Sequence, residues 1–266
     1  MDISASVVKE LREKTGAGMM DCKRALVEAG GDIETAIDNL RKSGIAKAEK
    51  KSGRATKEGK IISLIQDGKA VLLETLCETD FVATNDKFNT YINAVAERAL
   101  ALDGDGCVSE QVQAMENDSL VSMISTIGEN MQLRRCAKWN VTGTVSSYLH
   151  MGGRIGVLVE VAGEASAELM NEIGMHIAAF KPQYICSKCV PAEIIEKERE
   201  IARGQLVGKP ENIMEKMIDG KVSKYYTEVC LIDQPWIMDN KTTLGKLHAG
   251  VKVLRFIRWE VGEDLD

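Results

Sequence analysis

Two stretches of the sequence follow one plan, and this duplication limits the fold more than any single motif. Gly59-Lys60-Ile61-Ile62-Ser63, Gly68 and Val71-Leu72-Leu73-Glu74 match Gly143-Thr144-Val145-Ser146-Ser147, Gly152 and Val157-Leu158-Val159-Glu160 in order and kind. Glycines around two apolar, alternating runs predict a β-hairpin in each copy. The helix expected after each hairpin matches as well: Phe88, Ile92, Val95, Ala96 and Ala99 share the spacing of Leu169, Ile173, His176, Ile177 and Phe180. That i, i+4, i+7, i+8 pattern is one buried helix face, so each copy can cover its own apolar side. Only the first copy interposes about five extra residues between strand and helix, around Thr79-Asp80-Phe81-Val82. An acid beside an aromatic, on a loop held by a rigid scaffold, is suited to contacting another molecule.

At 266 residues the chain can form one to two domains with a real core. A formal net charge of -6 argues against general nucleic-acid binding, and aromatics at 5% leave few platforms for stacking bases. Met1-Asp2-Ile3-Ser4 shows no cationic segment followed by an apolar core, so no secretory signal is expected. No apolar run reaches membrane-spanning length; Ile155-Gly156-Val157-Leu158-Val159 stops at Glu160. Seven scattered cysteines fit reduced thiols in a cytosol better than a disulfide framework.

Residues 4 to about 44 read as a three-helix unit. Val7, Val8 and Leu11 stripe the first helix, which Thr15-Gly16-Ala17-Gly18 ends. Asp21 is the expected N-cap of the second, which carries Cys22, Ala25, Leu26 and Ala29. Asp32 caps the third, with Ile33, Ala36, Ile37 and Leu40 on one face and Gly44 beyond its end. Met19 and Met20 serve either as an adaptable contact surface or as filling for this small core. Lys47, Lys50, Lys51, Arg54 and Lys57, with Gly53 and Gly59, read as a basic linker. A helix is expected from about Asn117 to Ile127 and a strand from Met131 through Val141. Beyond Lys181-Pro182, one helix carries Ile194, Glu198, Ile201 and Ala202, and another carries Ile213, Met214, Met217 and Ile218. With a turn at Gly208-Lys209-Pro210 these predict an antiparallel helical hairpin. Leu254 to Val261 closes the chain as a strand.

Enzyme signatures are mostly absent. The sequence has no phosphate loop of the G-x-x-x-x-G-K-[ST] type, no H-E-x-x-H and no G-x-S-x-G. Gly16-Ala17-Gly18 lies between helices and so fails the context of a dinucleotide fingerprint. Asp103-Gly104-Asp105-Gly106 opens like a calcium loop, but Ala114 stands where the bidentate Glu belongs, so a plain acidic turn is expected. Cys186-Ser187-Lys188-Cys189 is a CxxC without a second ligand pair for zinc and outside a redox context. His150 falls at a hairpin turn, His176 on an apolar helix face, and neither pairs with a nucleophile. For Phe81 two roles stand open, a wedge entering a partner's apolar crevice and a cap folded onto its own helix.

The ordered motifs carry a resemblance. Val8-Lys9-Glu10-Leu11-Arg12, Thr15 to Lys23, Gly31-Asp32-Ile33-Glu34 and Arg41-Lys42-Ser43-Gly44 begin the series. Thr79-Asp80-Phe81-Val82-Ala83, Ile127-Gly128-Glu129-Asn130, Arg134-Arg135 and Ser147-Tyr148-Leu149-His150 continue it. Arg154 to Val159, Gln234-Pro235 and Phe256-Ile257-Arg258 complete it. Together they resemble the elongation factor Ts family, nucleotide-exchange factors for elongation factor Tu. The resemblance implies an α+β fold with a ubiquitin-associated-like three-helix domain over 1–46 and a basic linker over 47–58. It further implies related core subdomains over 59–142 and 143–266, the second including a helical hairpin at about 191–226. Thr79, Asp80, Phe81 and Val82 would then dislodge Mg²⁺ in the partner GTPase. Arg12, Met19, Met20, Ile127 and Gly128 would contact its nucleotide-binding domain, and His150, Ile237 and Met238 another part of it. No catalytic residue, metal, cofactor, membrane or direct nucleic-acid contact is implied, and the place of action is the bacterial cytoplasm. Some family members continue beyond the segment matching Val261 to Asp266 into another helical module, whose contacts are not expected here. Two rival readings use other features: RNA binding through Lys47 to Lys57, and thiol or metal chemistry at Cys186 and Cys189.

Overall fold

The computed structural model describes residues 3–206 and 210–265. It shows an α+β chain in two compact units, Met1–Leu64 with Lys69–Asn140 and Glu260–Asp266, and Ile65–Gly68 with Val141–Trp259.

In the first unit, α1 (Ala5–Thr15), α2 (Met19–Glu28) and α3 (Ile33–Lys51) enclose Val8, Leu11, Cys22, Ala25, Leu26 and Ala36. Gly16 ends α1 in the left-handed region, its N–H donating to the Arg12 carbonyl at 2.8 Å. The cap of α2 differs from expectation: the helix starts after Gly18, and Asp21 lies in its first turn. There Asp21 accepts a hydrogen bond from Lys47 Nζ at 2.8 Å, which holds its carboxyl below the usual range. Asp32 caps α3 as expected, accepting from the Thr35 N–H at 2.7 Å. α3 does not stop at Gly44 but runs on to Lys51, so Lys47, Lys50 and Lys51 are helical. Gly44 faces Ser125 on the neighbouring helix, where a Cβ would make an ordinary van der Waals contact at 3.7 Å. The added turns bring Ala48 into the main core of this unit.

That core lies against a sheet of order β1-β2-β4-β3, formed by β1 (Glu58–Gln66), β2 (Lys69–Cys77), β4 (Met131–Asn140) and the short β3 (Gly106–Cys107). After β2 come α4 (Asp80–Thr84) and α5 (Asp86–Leu100), and all five expected α5 face residues, Phe88 to Ala99, are buried. α6 (Ser109–Ile127) starts well before the expected Asn117. Its early turns hide their period because the inward stripe Val112, Glu116, Leu120, Ile124 contains a carboxylate. Glu116 is tolerated inside because Arg98 Nε and Nη2 reach its two oxygens at 2.5 and 2.8 Å. The acidic turn is a turn: Asp105 Oδ1 accepts from the Asn140 N–H at 2.8 Å, and the Gly104 carbonyl from Lys138 Nζ at 3.0 Å.

The second unit holds a sheet of order β5-β6-β7, from β5 (Thr144–His150), β6 (Ile155–Val161) and β7 (Val253–Glu260). α7 (Ala167–Phe180) buries Met170, Ile173, His176 and Ile177, while Phe180, expected on the same face, is 42% exposed. α8 (Ala192–Gln205) and α9 (Glu211–Val229) pack through Ile195, Ala202, Leu206, Met214, Ile218, Val222 and Tyr226. Ile201, Ile213 and Met217, expected in that seam, are exposed instead. Arg199 ties the two helices to each other, reaching Glu215 at 2.9 Å and Asp219 at 2.8 Å. Gly208 and Lys209 of the expected turn lie outside the described residues. α10 (Leu244–Leu247) precedes β7.

Matched positions of the two repeats do matched physical work. A Cβ at Gly59 would overlap the Thr75 carbonyl oxygen, and a Cβ at Gly143 the Val161 carbonyl oxygen. Glu74 and Glu160 are both almost wholly buried, and each is neutralised by arginine: Arg134 and Arg135 for the first, Arg255 at 2.7 Å for the second.

His176 is a core residue, stacked on Phe180 and Trp236 at ring separations of 4.7 and 5.0 Å. Its Nε2 donates to Gln234 Oε1 at 3.0 Å, while the buried Nδ1 has no partner among the described residues. Burial pushes the imidazole below its ordinary value, partly opposed by the bond to Gln234. The unfolded chain therefore takes up this proton first, near pH 6.5. The stabilisation from neutral His176 is complete above that pH and is lost as pH falls toward the depressed folded value. Urea midpoints measured on both sides of pH about 6.5 should fall on the acid side, and His176→Gln should flatten the fall. An unchanged slope in the variant would assign the effect to other groups.

Candidate partner-binding site

Eight residues, 78–85, connect β2 to α5, against five, 162–166, between β6 and α7. β2 also runs three residues past Glu74, where β6 runs one past Glu160. The extra length of the first repeat is thus split between a longer strand and a longer connection.

The connection is clamped at its base. Thr79 is the N-cap of α4: its Oγ1 accepts from the Val82 N–H at 3.4 Å and donates to Glu129 Oε1 at 2.7 Å. Glu129 Oε2 accepts the N–H groups of Glu78 and Thr79 at 3.2 and 3.0 Å. Glu78 in turn accepts from the Asn130 N–H at 2.6 Å and from Arg54 Nη1 at 3.3 Å. The Asn130 amide holds the carbonyls of Ser52 and Arg54 at 3.3 and 2.9 Å. Glu129 reaches this position because Gly128, at φ 94, turns the chain sharply at the end of α6.

One helical turn then divides its side chains. Val82 enters the core at 8% exposure, while Phe81 beside it stands 82% exposed, and Asp80 is exposed too. Phe81 does not fold back as a cap on α5. Phe81 is thus a large apolar side chain presented mostly to solvent on an anchored turn.

The remaining expected contact residues of the first unit lie on α1, α2 and the end of α6. Arg12 is exposed on α1, and Met19 and Met20 are 57% and 71% exposed, outside the three-helix core. Ile127 packs half-buried on the main core just before Gly128. The 16–18 loop approaches that point, a Cβ on Gly16 lying 4.0 Å from Thr126 Oγ1. Glu78 and Thr79 are thus tied to Glu129 just past the end of α6, and Gly16 lies beside Thr126 within its last turn. In the second unit His150 is exposed at the end of β5, with Nδ1 3.2 Å from the Tyr148 hydroxyl. Ile237 is half-buried on that unit's core, and Met238 is 58% exposed. No hydrogen bond or ring contact among the described residues joins His150 to Ile237 or Met238.

Glu129 was not singled out by sequence reasoning. It entered only as part of the Ile127-Gly128-Glu129-Asn130 motif, and nothing local pointed to partners fifty residues away. The cations of the expected linker are partly used internally, since Lys47 pairs with Asp21, Lys51 Nζ lies 3.5 Å from the Ile124 carbonyl, and Arg54 meets Glu78. Among the described residues no group of three or more His, Cys, Asp or Glu is placed to hold a metal ion, and no helix is long and apolar enough to cross a membrane.

The family model described as elongation factor TS matches residues 78–263. The chain belongs to the elongation factor Ts family. Elongation factor Ts of Methylococcus capsulatus is 48% identical over an alignment covering all of this chain and 94% of that protein. The elongation factor Ts proteins of Pasteurella multocida and Thioalkalivibrio sulfidiphilus are 47% and 45% identical, each alignment again covering all of this chain and 94% of the relative. The match to the elongation factor Ts model begins at Glu78, the first residue of the clamped connection, and reaches into the closing segment that packs near Glu74.

Proposed function

We propose that this chain is a guanine-nucleotide exchange factor that binds elongation factor Tu carrying GDP, promotes GDP release and stays bound until GTP enters. It makes and breaks no covalent bond, and it works in the bacterial cytoplasm. Family membership supports the partner. The exposed Phe81 on its clamped turn is the single observation that carries the mechanism. A factor that binds the empty GTPase more tightly than the loaded one weakens nucleotide binding by the same ratio. Mg²⁺ is a large local charge holding phosphate to protein, so a wedge of Asp80 and Phe81 that shifts its ligands removes much of that stabilisation. Arg12, Met19, Met20, Ile127 and Gly128 support the same contact, and His150, Ile237 and Met238 a second one. The test is the rate of GDP release from elongation factor Tu with and without this chain. An unaltered rate at saturating concentration would refute the reading.

Residues 1–46, in this reading a ubiquitin-associated-like domain, aid docking without driving exchange. Deleting them cuts within α3, and Ala48, which packs into the main core of the intact chain, stays in the remaining part. The truncated chain is expected to stay folded by circular dichroism and to bind elongation factor Tu more weakly in a titration. Aggregation or early melting would place the boundary elsewhere.

A further inference from the structure

Cys186 and Cys189 bracket a single 3-10 turn, Ser187–Cys189, in which the Cys189 N–H donates to the Cys186 carbonyl at 2.9 Å. The turn lays the thiols against each other, Sγ to Sγ 2.8 Å. A disulfide needs about 2.05 Å, so the two sulfurs must approach by roughly 0.8 Å to close. The flanks fix this placement. The N–H groups of Leu231 and Ile232 donate to the carbonyls of Tyr184 and Ile185 at 2.9 and 3.1 Å. On the other side Val190 is buried with Val229 and Cys230.

Accessibility sets the pair apart from the other cysteines. Cys22, Cys77, Cys136 and Cys230 are buried, and burial pushes the thiols of Cys77, Cys136 and Cys230 up to about 12. Cys107 is exposed but its Sγ neighbour is Ser109 Oγ, at 3.2 Å.

We propose that Cys186 and Cys189 form a dithiol modification site, which low-molecular-weight disulfides convert reversibly into an intramolecular disulfide. The exposed Cys189, as thiolate, attacks one sulfur of the small disulfide and expels a first small thiolate, leaving a mixed disulfide. Cys186, half-buried and already in contact, gives up its proton, attacks the Cys189 sulfur and expels the second. Two electrons pass from the protein thiols to the small disulfide, which leaves as two thiols carrying the two protons. An excess of small thiol runs the sequence backwards. The hydrogen bond to Cys186 holds the Cys189 thiol above its ordinary value, so the first step accelerates as pH rises.

The full chain is treated with oxidised glutathione, alkylated without reduction, and read by intact mass and peptide mapping. Accessible thiols should fall from three, Cys107, Cys186 and Cys189, to one. The mass should drop by two hydrogens, with Cys186 and Cys189 joined, and reduced glutathione should restore both. Cys186→Ser should trap one glutathione on Cys189, and Cys107→Ser should close like the parent. Three results would each overturn the proposal. One is both thiols alkylated after exposure to an oxidant that modifies a free peptide thiol. Another is closure between chains instead of within one. The third is stoichiometric zinc in the parent that Cys186→Ser loses. With reductant present, Cys186→Ser with Cys189→Ser should release GDP from elongation factor Tu at the parental rate, because the pair lies outside the clamped turn.

Discussion

Phe81→Ala is expected to leave the fold intact and to slow GDP release from elongation factor Tu by one to two orders of magnitude. The first half follows from exposure: a ring already 82% in water loses almost no burial when truncated. The second half follows from what an apolar crevice in the partner would add. Burying a phenylalanine side chain contributes roughly 1.5–3 kcal/mol, and each tenfold in rate takes about 1.4 kcal/mol. Little of that gain is lost to ordering, because Glu129 and the Thr79 cap already hold the turn. The checks are a circular-dichroism melt and a GDP-release time course at saturating factor. Parental release by the well-folded variant would remove Phe81 from the mechanism. Glu129→Gln makes a useful companion: it keeps the ring and loosens its mount, so an intermediate loss would separate contact from positioning.

Glu74→Ala should have the largest effect on stability. Its carboxylate is fully buried and accepts from Arg134 Nη1 at 3.2 Å, from Arg135 Nε, and from the Gly262 N–H at 2.8 Å. The two guanidinium groups are themselves only 16% and 13% exposed. Removing the acid leaves them facing each other with a shared counter-charge gone, and breaking a buried pair in this way costs about 3–5 kcal/mol. For a chain of this size that lowers the Tm by roughly 6–20 °C. Glu74→Gln, which preserves volume and one acceptor, should fall between parent and alanine variant. Added salt should not mask the difference, because screening acts weakly on buried charges. A loss under about 1 kcal/mol would mean that the arginines find other partners. Arg135 has them within reach, at the Glu260 carbonyl and Glu263 Oε1, 3.2 and 2.7 Å away.

Most of what repeats or caps locally was fixed by the sequence alone, the start of α2 and the end of α3 excepted. The paired hairpins, the α5 face from Phe88 to Ala99, the Asp32 cap and the odd connection around Phe81 all rest on spacings of a few residues. Helix and strand periods and N-caps act over that range. The matched glycines and glutamates of the two repeats were visible too, though not what each does. Tertiary structure decided the rest. Gly44 reads as a stop in isolation, yet α3 runs through it and packs that side against Ser125. Glu116 breaks the stripe of α6 until Arg98 is placed beside it. Ile201, Ile213 and Met217 are as apolar as the residues that form the α8 and α9 seam, and only the rotation of each helix against the other separates the two sets. At the candidate site the acid and the aromatic were legible, while the clamp was not. Glu129 meets Thr79 through fifty residues of intervening chain, and a hydrogen bond of that range leaves no local trace in the pattern of either segment.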